Sequence, residues 1–384
     1  MQFEFSTASK IIFGSGKLDL IGEIAVEFGK RALIISGAPT ELTDKLAKIL
    51  RSKSLISVKI DVHHEPTIEN IRQVLQNAAN AAPELVIGIG GGSAIDTSKV
   101  TAALLSNPGD ITNYLEIIGA GHPLINPSLP LIAVPTTSGT GSEVTKNAVI
   151  ASISHHVKVS LRSLHLLPRI ALIDPQLTIS VPQSTTATTG LDAFTQLVEA
   201  YTCNVPNPIT DALCIEGIRR VVRSFLTAYD YGNNLAARED MSLAALFSGL
   251  SLANAKLGAV HGLAGPIGGL ILAHHGAICA ALLANVMAAN LSALRNRSPD
   301  HPAVERYTII ARLLNADSTA VAQDGVQWVR DICRHTHIQS LSLLGLTEQL
   351  FPLVIEKALI SSSMKGNPVT LSSEELRIIL QSAL

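Results

Sequence analysis

Charge is scarce in this 384-residue chain: Asp, Glu, Lys and Arg make up 16% of it, where about 25% is usual for a globular protein. The net charge is −2 and no segment gathers Lys and Arg, so the electrostatic footprint that a phosphate backbone requires is missing. Nucleic acid is therefore not an expected partner. Aromatics are also few, at 4%, while 47% of the residues are hydrophobic and mostly aliphatic. Such a composition excludes disorder and implies extensive buried surface, including a subunit interface. The four cysteines, Cys203, Cys214, Cys279 and Cys333, are widely spaced and lack any CxxC pairing. They form no disulfide framework and read as buried thiols in a reducing compartment. The first residues, MQFEFSTASKIIFGSG, lack the basic and apolar regions of a signal peptide, so a cytoplasmic location is expected.

One run tests for a membrane span. Residues 257–294 contain no Asp, Glu, Lys or Arg, which is long enough to cross a bilayer. His261, His274 and His275 interrupt its apolar character, and Gly265, Pro266, Gly268 and Gly269 break it, so two buried helices joined by a tight turn fit better. No membrane partner is expected.

At roughly 150 residues per domain the length predicts two domains. Up to about residue 185, β-branched runs alternate with helix-like segments: RALIIS at 31–36, a helix at 41–50, VKIDV at 58–62, a helix at 67–80, LVIGI at 85–89 and a helix at 94–105. Apolar strands at 129–135 and 169–175 follow, with a hairpin between them at 147–160. Continuous apolar strands alternating with helices predict a parallel sheet covered on both faces. Beyond Pro182 the periodicity is helical throughout. The expected fold is thus an α/β domain over residues 1–183 and an all-α domain over 184–384, with the cleft between them as the default ligand site.

Two turns follow buried strands. Gly90, Gly91, Gly92 and Ser93 lead directly into a helix carrying Asp96 and Lys99, where free N–H groups and the helix dipole favour a pyrophosphate. The final glycine of GxGxxG is missing, so the usual Rossmann fingerprint is not satisfied. The second turn, Thr136, Thr137, Ser138, Gly139, Thr140 and Gly141, running on to Thr145, concentrates hydroxyls that suit a ribose, phosphate or nicotinamide. Together they point to a dinucleotide. In the helical half, Asp192 and Gln196 share a helix face at four-residue spacing, and His261 and His275 bracket the glycine-proline break. One carboxylate and two imidazoles make a ligand set for zinc or ferrous iron.

The chain resembles the iron-containing (group III) alcohol dehydrogenase family, with its dehydroquinate synthase-like fold, nearly end to end. The resemblance is carried by GGGSAIDTSK at 90–99, PTTSGTGSEVT at 135–145, LIDPQLT at 172–178, GLDAFTQLVEAY at 190–201 and LGAVHGLAGPIGGLILAHHGAICAALLANVM at 257–287. It implies an N-terminal dinucleotide-binding domain, a helical metal domain, and NAD(P)-dependent interconversion of a small alcohol and an aldehyde or ketone by hydride transfer at a divalent metal. It also implies a homodimer or larger homo-oligomer. Asp192, His261 and His275 match three family metal ligands, with Asp192 and His275 expected at the reacting centre. Gln196 stands at the fourth ligand position in place of histidine, which weakens iron binding and leaves zinc, iron or a loosely held ion as the expectation. Gly265 stands where many members carry a further histidine. Gly37 replaces an aspartate after the strand at 31–36, removing repulsion of a 2′-phosphate, so NADP(H) is expected to be accepted beside NAD(H). Gly90, Gly91, Gly92, Ser93 and Asp96 are expected at the pyrophosphate, Thr136, Thr137, Ser138, Thr140 and Thr145 along the cofactor, and Lys158 near the nicotinamide. The alternatives are a metal-independent reductase of the maleylacetate reductase type and a non-catalytic nucleotide-binding descendant.

Overall fold

The computed structural model describes residues 2–271 and 273–384. The chain divides into two compact units, one spanning Phe5–Val181 and the other Pro182–Leu384 together with the first residues up to Glu4.

The first unit is built on strands β1 (Lys10–Phe13), β2 (Arg31–Ser36), β3 (Ile56–Asp61), β4 (Leu85–Gly90), β5 (Leu131–Pro135), β6 (Asn147–Ser152), β7 (Val157–Arg162) and β8 (Ile170–Ile173). Helices α1 (Ile21–Ala25), α2 (Thr40–Ser52), α3 (Ile68–Ala81) and α4 (Gly92–Leu104) connect them. Six strands form one parallel sheet in the order β1-β8-β5-β4-β2-β3, while β6 and β7 make a separate antiparallel hairpin. Every residue of β4, β5 and β8 is buried, as strands covered on both faces must be. The order β3-β2-β4-β5-β8 is a doubly wound arrangement whose connections reverse direction between β2 and β4. A crevice opens at such a reversal, outside the carboxyl ends of the strands. The register brings those ends together, with Ser36 opposite Ile89 and Gly90 opposite Pro135. Gly37 N–H donates to the Ile89 carbonyl at 2.8 Å and Thr136 N–H to the Gly90 carbonyl at 2.9 Å, so both glycine- and hydroxyl-rich turns leave the same sheet edge. Asp174, just past β8, fastens the first turn of the chain: its carboxylate accepts from the N–H groups of Gly16 and Leu18, each at 3.0 Å.

The second unit contains α5 (Gln183–Thr202), α6 (Pro208–Asp230), α7 (Leu235–Asn254), α8 (Ala259–Leu270), α9 (His275–Arg297), α10 (Pro302–Asn315), α11 (Ala322–His335), α12 (Phe351–Ile360) and α13 (Ser373–Ser382). Strands are absent among its described residues. Helix α5 is central, packing against α6, α7 and α9 and burying Leu191, Phe194, Leu197 and Val198. Helix α9 is long and apolar enough to span a bilayer by composition, but 67% of its most apolar stretch is buried within the protein, where it is a core helix.

The two-helix reading of residues 257–294 holds with the break displaced. Pro266 lies inside α8, and the chain turns only between Leu270 and His275. A proline here forfeits a backbone hydrogen bond and costs about 3 kcal/mol, which the complete burial of Val260, Leu263, Ala264 and Ile267 offsets.

Candidate functional site

Nearly all of α5 is buried, so its polar side chains need partners inside the protein. Thr195 and Thr202 solve this locally, donating to the carbonyls one turn back at 2.7 and 2.9 Å. Asp192, Gln196 and Glu199, at spacings of four and then three, make no such bond; Asp192 and Glu199 face the start of α9 and α8, and Gln196 reaches Ser248 on α7. Glu199 accepts from the Val260 N–H at 2.7 Å and the His261 N–H at 3.4 Å, which caps α8. The same carboxylate takes a 2.6 Å hydrogen bond from His261 Nδ1. Because a carboxylate only accepts, Nδ1 carries the proton and Nε2 presents its lone pair to the other side.

That lone pair points at Asp192. His261 Nε2 lies 3.6 Å and His275 Nε2 3.8 Å from Asp192 Oδ1, and the two rings are 5.3 Å apart. Neither His261 Nε2 nor Asp192 Oδ1 has a hydrogen-bond partner, although both are buried. Two unpartnered buried atoms facing each other are costly unless a metal cation or a proton sits between them. The Cys279 sulfur, one turn beyond His275, is 3.5 Å from His275 Nε2 and completes a group whose donor atoms all lie within 4.8 Å of one another. Burial opposes charge on each member, yet mutual attraction outweighs it. The Asp192 carboxyl and the Cys279 thiol sit below their ordinary values, and both imidazoles above theirs. His275, with 33% of its side chain exposed, marks the open side.

Gln196, expected at the fourth ligand position, makes two hydrogen bonds within the protein. Its amide nitrogen donates to Asp192 Oδ2 at 3.3 Å, and its oxygen accepts from the Ser248 hydroxyl on α7 at 2.8 Å. The oxygen that would ligate a metal is turned away, because Asp192 requires a donor at that edge. His274 is exposed and stands at the N-cap position of α9 without a capping hydrogen bond from its side chain. Gly265 opens onto free space, with nothing within 4 Å of where a Cβ would stand. Sequence reasoning missed Cys279, Glu199 and Ser248. The first two were discoverable: Cys279 is four residues after His275, and Glu199 seven after Asp192. A Glu199→Gln variant should lose roughly 10- to 100-fold in metal affinity with its fold intact, since the amide holds the His261 ring less firmly; isothermal titration with zinc measures this.

In the α/β unit, Gly91 is the N-cap of α4 and has no side chain to offer, leaving first-turn N–H groups for an external acceptor. Thr137 and Thr140 lie beside Gly91 and Gly92, so the two turns form one concave edge with Ser93. Thr136 and Ser138 are buried there. Four of the residues expected at the cofactor have partners or close neighbours within the protein. Asp96 faces inward, accepting from Ser142 Oγ and from the Val149 N–H at 2.9 Å, and so ties α4 to the hairpin. Thr145 accepts from the fully buried Lys99 at 2.7 Å. Lys158 is ion-paired with Glu65. Gly37 is not open room: a Cβ there would stand 3.2 Å from Ala94 Cβ and 3.3 Å from the Val62 carbonyl.

Burial pushes the nearby Glu143 carboxyl up to about 7, with its own backbone N–H and Lys99 opposing only in part. A folded-state value raised above the ordinary 4.5 gives a stability contribution that is whole below pH 4.5 and lost as the pH climbs to about 7. Melting curves of wild type and Glu143→Gln across that window should therefore diverge in the variant's favour as pH rises, by a few kcal/mol on the order-of-magnitude scale of such shifts. A pH-independent difference would contradict this.

The helical unit thus contains a buried carboxylate–imidazole cluster that could hold a metal ion, and the α/β unit a doubly wound sheet with an uncapped helix start. The family description "Iron-containing alcohol dehydrogenase" matches residues 8–175, and the C-terminal description of the Fe-containing alcohol dehydrogenases matches residues 186–384. The chain is 32% identical to the 1,3-propanediol dehydrogenase of Klebsiella pneumoniae, over 99% of this chain and 98% of that one. Among solved structures it is similar to a 1,3-propanediol oxidoreductase, with a TM-score of 0.91, 32% identity and 100% of both chains covered. It is also similar to the sulfoacetaldehyde reductase of Bifidobacterium kashiwanohense in complex with NAD+, with a TM-score of 0.85, 25% identity, and 100% of this chain and 99% of that one covered. The chain belongs to the iron-containing alcohol dehydrogenase family and is an alcohol dehydrogenase or aldehyde reductase of that family.

Proposed function

We propose that this protein interconverts a small uncharged alcohol and its aldehyde, with a divalent metal held by Asp192, His261 and His275 in the helical unit and NAD(H) or NADP(H) held by the α/β unit. The observation that carries the metal is the pair of buried, unpartnered atoms, Asp192 Oδ1 and His261 Nε2, beside His275 Nε2. One anionic and two neutral nitrogen donors suit zinc or ferrous iron. When bound, such an ion supplies Lewis acidity toward an alcohol or carbonyl oxygen, and the nicotinamide supplies or accepts the hydride.

The protein's own groups do the positioning. Glu199 fixes the His261 tautomer and ring orientation; Gln196, itself held by Ser248, orients Asp192 through Oδ2 and leaves Oδ1 outward. Gly91, Gly92 and Ser93 at the start of α4 receive the pyrophosphate, and Thr136, Thr137, Ser138 and Thr140 line the same edge. No carboxylate follows β2 at position 37, which supports acceptance of the 2′-phosphate of NADP(H). The open space at Gly265, one turn after His261, supports a substrate bulkier than a histidine at that position would allow. Four free thiols and a low charged fraction support a cytoplasmic homodimer or larger homo-oligomer.

The test is spectrophotometric: oxidation of NADPH and NADH against a panel of aldehydes, keto acids and phosphonoaldehydes, with zinc, ferrous iron or a chelator present. Turnover of aldehydes that chelation abolishes and metal restores is expected. Turnover indifferent to chelation would favour the metal-independent maleylacetate reductase type, and nucleotide binding without turnover a non-catalytic descendant.

A further inference from the structure

We propose that Cys279 is a fourth protein ligand, taking the place in the coordination sphere that Gln196 leaves, and that the resulting Asp192–His261–His275–Cys279 set selects zinc over iron. The inference rests on the metal reading above and adds a donor to it.

Cys279 follows His275 by four residues on α9, so both side chains leave the same face one turn apart. It is fully buried. Its sulfur lies 3.5 Å from His275 Nε2, and it belongs with Asp192 and both histidines to one group of donor atoms within 4.8 Å. Two other thiols differ: the buried Cys214 donates to the Ser251 hydroxyl at 3.3 Å and the half-buried Cys333 to the Ala280 carbonyl at 3.6 Å. A tetrahedral ion with bonds of about 2.0–2.1 Å to nitrogen or oxygen and about 2.3 Å to sulfur separates neighbouring donors by roughly 3.3–3.6 Å. The observed separations of 3.5, 3.6 and 3.8 Å are those edges within a few tenths of an ångström.

The independent observation is again the orphaned pair. Asp192 and His261, whose side chains are 3% and 7% exposed, aim unpartnered atoms into the space that Cys279 borders. Gln196 cannot close that space with oxygen, because its oxygen accepts from Ser248. Binding exchanges the thiol proton for the ion and releases it to solvent, leaving a thiolate bond. A carboxylate, two imidazoles and a thiolate make a softer set than a carboxylate with three imidazoles, and this favours zinc. The ion keeps one accessible side, at the partly exposed His275.

Cobalt(II) is the probe, added to the metal-free full-length protein. Wild type is expected to give intense visible bands of tetrahedral cobalt together with a near-ultraviolet thiolate-to-cobalt band. Cys279→Ser should lose the near-ultraviolet band while retaining cobalt. Zinc should displace the cobalt stoichiometrically where ferrous iron, added without oxygen, does not. Cobalt bound by wild type without a thiolate band would overturn the role of Cys279 and leave the three-ligand reading standing; it needs no variant to fold. A band surviving in Cys279→Ser, or ready displacement by ferrous iron, would overturn it equally. Absence of cobalt binding altogether would remove the metal reading itself.

Discussion

Asp192→Asn should abolish metal-dependent turnover, by a factor on the order of 10³, without destabilising the metal-free protein. The carboxylate brings negative charge to a site with two imidazoles, and an amide brings none. The fold should not suffer, because the wild-type residue is poorly served where it stands. Asp192 Oδ2 accepts only from Gln196 at 3.3 Å, and Oδ1 has no partner at all. An asparagine can keep its oxygen toward Gln196 and donate its Nδ2 hydrogen to His261 Nε2, satisfying both orphaned positions. Zinc at a hundred times its dissociation constant should stabilise wild type by about 2.7 kcal/mol. For a unit of this size that raises Tm by roughly 5–10 °C. The variant should show an equal or higher Tm without zinc, and no shift with it. Differential scanning calorimetry with and without zinc measures both. A zinc-induced shift retained in Asp192→Asn would mean that the carboxylate does not hold the ion.

Gly90→Ala should be the most damaging single change in the α/β unit. Gly90 ends β4 at φ +146°, a conformation that L side chains rarely adopt. An alanine Cβ there would stand 2.8 Å from Ala94 Cβ and 3.0 Å from the backbone nitrogen and Cα of Gly37. Backbone strain and overpacking each cost about 1–3 kcal/mol, so Tm should fall by on the order of 10 °C. Relief of the clash must move either the start of α4 or the end of β2, the two sides of the crevice. Nucleotide binding, followed by NADPH fluorescence, should weaken at least tenfold at a temperature where the variant is still folded. Unchanged affinity would place the dinucleotide elsewhere.

Much of this architecture was legible because burial on both sheet faces leaves continuous apolar runs. The strand at 31–36 emerges with those bounds, and the hairpin strands fall where their β-branched residues alternate. Gly90 was readable as a turn, but its clash partner was not: Gly37 is 53 positions away in the chain and meets it only through the parallel register of β2 and β4. The packing of Gly37 against Ala94 and Val62 is hidden in the sequence for the same reason. Pro266 misled for a related reason, since local propensity predicts a break where tertiary burial sustains a helix. At the site, Asp192, His261 and His275 stood out by residue type, whereas the orientation of Gln196 depends on Ser248 from another helix. Asp96, Thr145 and Lys158 carry the polar chemistry expected of cofactor contacts, but each found a partner within the protein. Side-chain direction at a turn is decided by such neighbours, which spacing alone does not reveal. Cys279 was set aside as an inert thiol because no second cysteine accompanied it, while its four-residue spacing from His275 carried the signal.

Anomalous diffraction at the zinc absorption edge, from crystals of the zinc-loaded protein, tests the convergence of these side chains most directly. One strong peak should lie in the helical unit within bonding distance of Asp192 Oδ1, His261 Nε2 and His275 Nε2. No peak there, or zinc bound only at surface carboxylates and histidines, would contradict the metal centre.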